Sequence, residues 1–477
     1  MQDSKLVKIF KTLSQEEFKH LRKFTQSDFF NTDQNLVLLF DAMAKYYPDF
    51  VSRSMKKENL YGKIFGRQPY NDAKWRNLVF KMNQLMEDYL IWLEMNNTEL
   101  TRLKLLTIAF GKRNLYQKFE KSTQELSEKL AEQSLVTADA LKERMQANLQ
   151  FYHHPQTAKV DNLDKLLSAL DDLDHYYFAE KLRLACDLKV AENMVAGRVP
   201  VLLLSEISQL IQQENVRDLD YLKIYERILD LLTQHPSMVA FEATFEFLLK
   251  MVGSLSDIDK QFGLLHLLNF AINQVNKGET GYQPLVLRLY KLGLDQGVLT
   301  AEGKISDTTF SNIASTASAL KEFEWTKNFI LQYETYLSQD VREETTTLSF
   351  GYLHFHQNDY LKAVEKLQFF SSQHINKVLS SKNLLLRCYF ELSLKDNSYF
   401  TVFTSFANAY DKFIKREKQL SATRKTWYKN LISTMVSLAK YKNERNWNKE
   451  VKSKIVAEVS SKPMYLKAWL LERIERI

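Results

Sequence analysis

Apolar residues along most of this chain recur at steps of three and four, the spacing that lays a single stripe along an α-helix. Within residues 1–95, Ser14-Gln-Glu-Glu17 precedes Phe18, Leu21 and Phe24. This is a capping-box pattern, in which the serine oxygen and the glutamate satisfy backbone N–H groups left orphan at a helix start. Asp33 opens a second helix with Leu36, Leu39, Phe40 and Met43 on one face, stopped by Pro48. A third helix is predicted over 56–65 and a turn over 66–71. A long amphipathic helix then carries Trp75, Leu78, Met82, Leu85, Met86 and Tyr89.

Three further helices are expected over 99–150, punctuated near Gly111 and Thr137, and His153-His154-Pro155 breaks the pattern. A long helix follows from 163 to about 191, ending before Gly197 and Pro200. Paired helices are expected over 201–234 and 238–276, with Gly278-Glu-Thr-Gly281 as a surface loop. From there the pattern repeats. Segments 310–337, 348–370 and 384–409 each read as helix, short turn and helix, with the small residues Ala314, Gly351 and Cys388 in register at an offset of 37. Small side chains at a fixed interval imply close helix contacts in stacked units.

Composition supports helices over strands. Only 12 Gly and 7 Pro occur in 477 residues, well below the usual levels of about 7% and 5%, and many short strands with tight turns would need more of both. The expected class is all-α. The N-terminal residues show no secretory signal and the longest uncharged stretch, 261–276, is too short to cross a bilayer, so a cytoplasmic location and no membrane partner are expected. Cys186 and Cys388 both lie in apolar helical patterns and read as small hydrophobes.

Residues 308–410 resemble the tetratricopeptide-repeat superfamily. The first-helix small position falls to Ala314, Gly351 and Cys388, the turn aromatic to Phe323, Tyr360 and Tyr399, and the second-helix position to Thr326, Ala363 and Val402. Asn358-Asp-Tyr-Leu-Lys-Ala363 is the best match. The resemblance implies a helical-repeat solenoid whose first helices line a groove for a protein or peptide partner. Carried over by position, the groove-facing candidates are Ser311, Ser315, Thr345, Tyr352, His356, Lys382 and Tyr389. The domains expected on this reading are an N-terminal helical domain at 1–95, irregular hairpins at 96–300, repeats at 301–410 and basic capping helices at 411–477.

Charge adds a second reading. The formal net charge is +7, and residues 411–477 alone carry +10. Arg424, Lys425 and Lys429 are interleaved there with Trp427 and Tyr428, a pattern suited to phosphates and stacked bases. Helix order in 1–95 resembles helix-turn-helix and winged-helix modules, and the segment starting at Trp75 resembles their recognition helix, with Lys74, Arg76 and Lys81 as its cations. That resemblance implies nucleic-acid binding as the alternative to a protein scaffold.

Catalytic chemistry finds no foothold. No glycine-rich phosphate loop, nucleophile elbow or His-Glu-x-x-His pattern occurs. His354 and His356 lie two apart, about 200° around a helix, and so cannot chelate one ion together. Asp171, Asp172, Asp174 and His175 read as a solvated helix face. A non-enzyme without cofactor or metal is expected.

Overall fold

The structure, a computed structural model, describes residues 4–131, 137–192, 200–211, 220–233 and 236–477. Among them are α-helices and short 3-10 turns and no strand, so the protein is all-α. The expected helix end before Gly197 and the Gln234 end of the 201–234 pair lie outside the described residues. Two compact units, Met1–Tyr176 and Tyr177–Ile477, divide the chain within the helix Leu163–Glu192.

The first unit begins with a helix the stripe pattern does not announce, Lys5–Thr12, N-capped by Ser4. Gln15–Thr25 follows with the full Ser14/Glu17 capping box, then Gln34–Ala44 behind an Asp33 cap, Lys57–Phe65 and the long Asp72–Asn97. Their stripes meet in an aromatic core. Phe10 stacks on Phe50 at 5.6 Å and Phe18 on Tyr47 at 4.2 Å, and such ring pairs add stabilisation beyond buried area. Glu99–Lys112, Tyr116–Ala131 and Ala138–His153 form a smaller cluster through Leu103, Leu126, Leu130 and Ala147. One correction falls here. Asp172 is not on a solvated face: it is fully buried and ion-paired with Arg144, since a buried carboxylate requires a partner.

In the second unit helices pair in sequence: Asp257–Asn276 with Gln283–Asp295, Asp307–Ala319 with Phe323–Tyr333, Gln339–His356 with Tyr360–Leu367, and Ile375–Lys395 with Phe400–Arg416. Ala314, Gly351 and Cys388 are all buried at these contacts. At Gly351 the approach is closest, because a Cβ there would lie 2.8 Å from Leu367 Cδ1. The turns recur as well. Lys321 and Asn358, again 37 residues apart, adopt the left-handed conformation at φ 65° and 62°. In each case the next N–H reaches back five residues, Glu322 to the Ala317 carbonyl at 3.0 Å and Asp359 to that of His354 at 2.9 Å, the closure that satisfies helix-end carbonyls.

The third turn departs from this form. A 3-10 turn, Asn397–Tyr399, leads directly into Phe400–Arg416, and the register of the second helix shifts by one. Val402, expected at the packed position, is 45% exposed, while Phe403 is fully buried in its place. The chain then closes with Ala422–Asn443, Lys449–Ser461 and Lys467–Arg476. Leu470 and Ile474 of the last helix are fully buried, so it is a packed part of the core.

Candidate functional site

Ser311 and Ser315 lie half-buried on the helix Asp307–Ala319. Ser315 lines a cleft of about 410 Å³ with Asn276, Tyr290, Asn312 and Thr316. Tyr290 is its most buried polar member. Burial pushes that phenol up to about 12, with Asn312 as its hydrogen-bonding neighbour. Thr345 has no access to a ligand: it is fully buried, and its hydroxyl accepts from Lys377 Nζ at 3.2 Å. The same ammonium pairs with Asp307 at 2.6 Å and Glu344 at 2.5 Å, tying three first helices together.

The remaining groove candidates gather around the helix Ile375–Lys395. Lys382 holds its ammonium over the Phe413 ring at 5.1 Å, and Tyr389 packs on Phe406 at 5.2 Å. Tyr352 and His356 are half-buried on the preceding first helix. Tyr352 has Ser380 as its hydrogen-bonding neighbour, and burial raises its phenol. Burial and the adjacent Arg387 charge hold His356 at about 3, so its imidazole is neutral at ordinary pH.

Sequence reasoning passed over the residues at the centre of this group. Asn383, Arg387 and Glu391 follow at four-residue steps along Ile375–Lys395, which keeps them on one helix face. All three are buried. The Arg387 guanidinium sits between two ring faces, 4.1 Å from the Phe355 centroid and 4.4 Å from that of Trp469. Glu391 is ion-paired with Arg473 of the last helix. The detectable signal was a polar residue every fourth position, each separated from the next by an apolar or aromatic triplet, Leu384-Leu385-Leu386 and Cys388-Tyr389-Phe390. It was masked because polar residues at that spacing also mark a solvated face.

Five of the six nucleic-acid candidates are engaged elsewhere. Arg76 and Lys57 both pair with Asp72, Lys81 pairs with Asp33 at 3.0 Å, and Lys74 lies 3.9 Å above the Phe65 ring. Arg424 donates to Asn376 Oδ1 at 3.3 Å and Lys425 to the Lys415 carbonyl at 3.1 Å. Lys429 lies on the exposed side of Ala422–Asn443.

Among the described residues no three His, Cys, Asp or Glu side chains come together as metal ligands, and no helix is long and apolar enough to cross a membrane. Both thiols are buried, which raises Cys186 and pushes Cys388 up to about 12. In comparisons with known proteins, no family model, no curated protein and no solved structure matches the chain.

Proposed function

We propose that this protein is a non-enzymatic scaffold, a helical-repeat solenoid related in design to tetratricopeptide arrays, that holds a protein or peptide along its first helices. The observation that carries this reading is the 37-residue recurrence of both the small contact residue and the left-handed turn at Lys321 and Asn358. Stacked units of this kind expose equivalent helix faces side by side, and such faces form extended partner surfaces. Ser311, Ser315, Tyr352 and His356 supply that surface with hydroxyl and imidazole groups that stay uncharged at neutral pH. Nucleic-acid binding through the N-terminal helices ranks second, because Arg76 and Lys81 are neutralised by carboxylates within the unit, whereas phosphate binding draws on free cations.

Photo-crosslinking tests the scaffold reading. A photoreactive residue at Ser315 should capture a discrete partner from native cell extract, and the same group at the exposed Lys366 on a second helix should not. Equal capture at both positions, or capture at neither, ends the groove assignment.

A further inference from the structure

The row of first helices is not evenly closed. Asp307–Ala319 packs along Gln339–His356, which packs in turn on Ile375–Lys395. Asp257–Asn276 and Asp307–Ala319 each pack on Gln283–Asp295 rather than along one another, and the cleft of about 410 Å³ lies among these three helices. Its lining follows from helical spacing. Asn312 and Ser315 share one face of Asp307–Ala319, Val275 and Asn276 stand at the end of Asp257–Asn276, and Gln283 and Val286 lie three apart on Gln283–Asp295.

None of the described lining residues carries a charge, although charged residues make up 26% of the chain. Tyr290 stays protonated, because burial pushes its phenol up to about 12. Asn276 and Asn312 are exposed and Gln283 is half-buried, so a ligand entering the cleft meets three carboxamides. Whichever way round it is turned, each carboxamide offers one carbonyl and one NH2, the acceptor and donor that a peptide bond also carries. Beside them, Val275 and Val286 supply aliphatic surface.

A charged ligand group would be desolvated here with no opposite charge to meet it. A helix keeps its backbone N–H and C=O groups bonded internally, whereas an extended chain leaves them free for carboxamides. A sugar is the other neutral ligand rich in hydrogen-bonding groups, but the lining offers it no open ring face to stack on, since Tyr290 is buried.

We propose that this cleft holds an uncharged, extended peptide segment by its backbone, with the Asn276, Gln283 and Asn312 carboxamides bonding its peptide groups and an aliphatic side chain set against Val275 and Val286. The proposal rests on the scaffold reading and narrows it. The partner enters by a linear stretch rather than a folded surface, because a cleft of this size admits only a short length of chain.

The test is a selection followed by two variants, all with the full chain. Random peptides displayed on phage are selected against the wild-type protein, and each enriched sequence is made as a synthetic peptide blocked at both ends. The enriched sequences should share a short stretch without Asp, Glu, Lys or Arg that contains Val, Ile or Leu. Asn276→Ala and Asn312→Ala should each weaken the synthetic peptide about tenfold, and N-methylation of backbone amides within the shared stretch should do the same. Asn276 is exposed at the end of its helix, so its variant is expected to fold even if Asn312→Ala, beside Tyr290, does not. Circular dichroism and the thermal midpoint verify this. A charge within the shared stretch, no enrichment at all, or affinity that survives both Asn276→Ala and N-methylation would each overturn the assignment. So would binding of maltotriose or chitotriose that Asn276→Ala abolishes, which would give the carboxamides to a sugar. Crosslinking at Ser315 reports on the scaffold by itself: a captured partner whose binding ignores Asn276→Ala leaves that reading standing without this one, and capture at neither position removes both.

Discussion

Tyr47, Tyr89 and Asn31 place polar groups among the N-terminal helices, and each one ends on a backbone carbonyl. Tyr47 donates to Leu13 at 2.9 Å, Tyr89 to Glu17 at 2.6 Å and Asn31 to Thr25 at 2.8 Å. Around them the interior is aromatic. The Ile375–Lys395 helix also buries polar groups, but Asn383 Nδ2 and Arg387 Nε have no partner and the buried carboxylate of Glu391 pairs with Arg473. A protein interior tolerates unsatisfied donors only where the rest of the structure holds them in place. The first region pairs these polar groups, and the second leaves two buried donors unpaired at some cost to stability. Changes to their buried side chains should therefore have opposite signs.

The largest effect is expected at Phe10, which is fully buried among Phe18, Phe40 and Phe50. Phe10→Ala removes a ring that its neighbours cannot replace, and should cost about 3–5 kcal/mol in chemical denaturation of the first unit. Arg387→Met should move the other way. Methionine keeps an unbranched apolar stem beside the Phe355 and Trp469 rings and takes a buried charge out of the interior, so a gain of about 1–2 kcal/mol is expected in the second unit. A loss of similar size would mean that Arg387 is structural and would remove the contrast between the two regions.

Gly351 sharpens the repeat side of the comparison. Helix propensity alone favours alanine there by about 1 kcal/mol. A Cβ, however, would meet three atoms of the buried Leu367 at 2.8 to 3.0 Å, so Leu367 must move within a packed interior. Gly351→Ala should therefore lower the thermal midpoint rather than leave it unchanged, and Gly351→Leu should cost about 1–3 kcal/mol. An unchanged midpoint for the leucine variant would break the packed register at 37 residues.

Acid should weaken the second unit through His356. Its imidazole is held near 3 in the folded chain against 6.5 in the open chain, so the unfolded state takes up the proton first. The stability linked to this group is fully present above about pH 6.5 and falls as pH drops toward 3. His354 is lowered too and acts in the same direction. Glu391 is raised by burial and acts in the opposite direction above 4.5. Denaturant midpoints for wild type and His356→Gln, compared at about pH 7.5 and pH 5, should converge as pH falls. A constant gap between them would exclude His356 as the source.

Much of this architecture was legible because its signals are local. Ser14 with Glu17 and Asp33 before Leu36 mark helix starts within four residues, and both cap helices as expected, while Thr137, read only as a break between helices, proves to be an N-cap. Signals that depend on distant partners were not legible. Asp172 looks solvated until Arg144, 28 residues away, is placed over it. Arg387 looks like an exposed cation until Trp469 arrives from the last helix. Lys321 carries no turn signature, since lysine rarely adopts positive φ, and only its hydrogen bonds show that it closes the same turn as Asn358.

The smallest effects are expected on the long N-terminal helix, where they decide between the two functional readings. Arg76 is exposed and holds Asp72, whose carboxyl it and its neighbours lower to about 2, and Lys81 holds Asp33. Exposed pairs of this kind contribute little, because water and salt screen them. Arg76→Ala and Lys81→Ala should therefore shift the denaturation midpoint of the first unit only slightly. Their effect on nucleic acid is the discriminating measurement. If this helix contacted phosphates, removing one cation would weaken binding to every sequence and lower the log–log salt slope by about one. With both cations committed to carboxylates, duplex and single-stranded probes at low salt should bind neither variant differently from wild type. A salt-steep affinity that drops with Arg76→Ala would instead show that Asp72 yields its partner to a phosphate, and would put the nucleic-acid reading first.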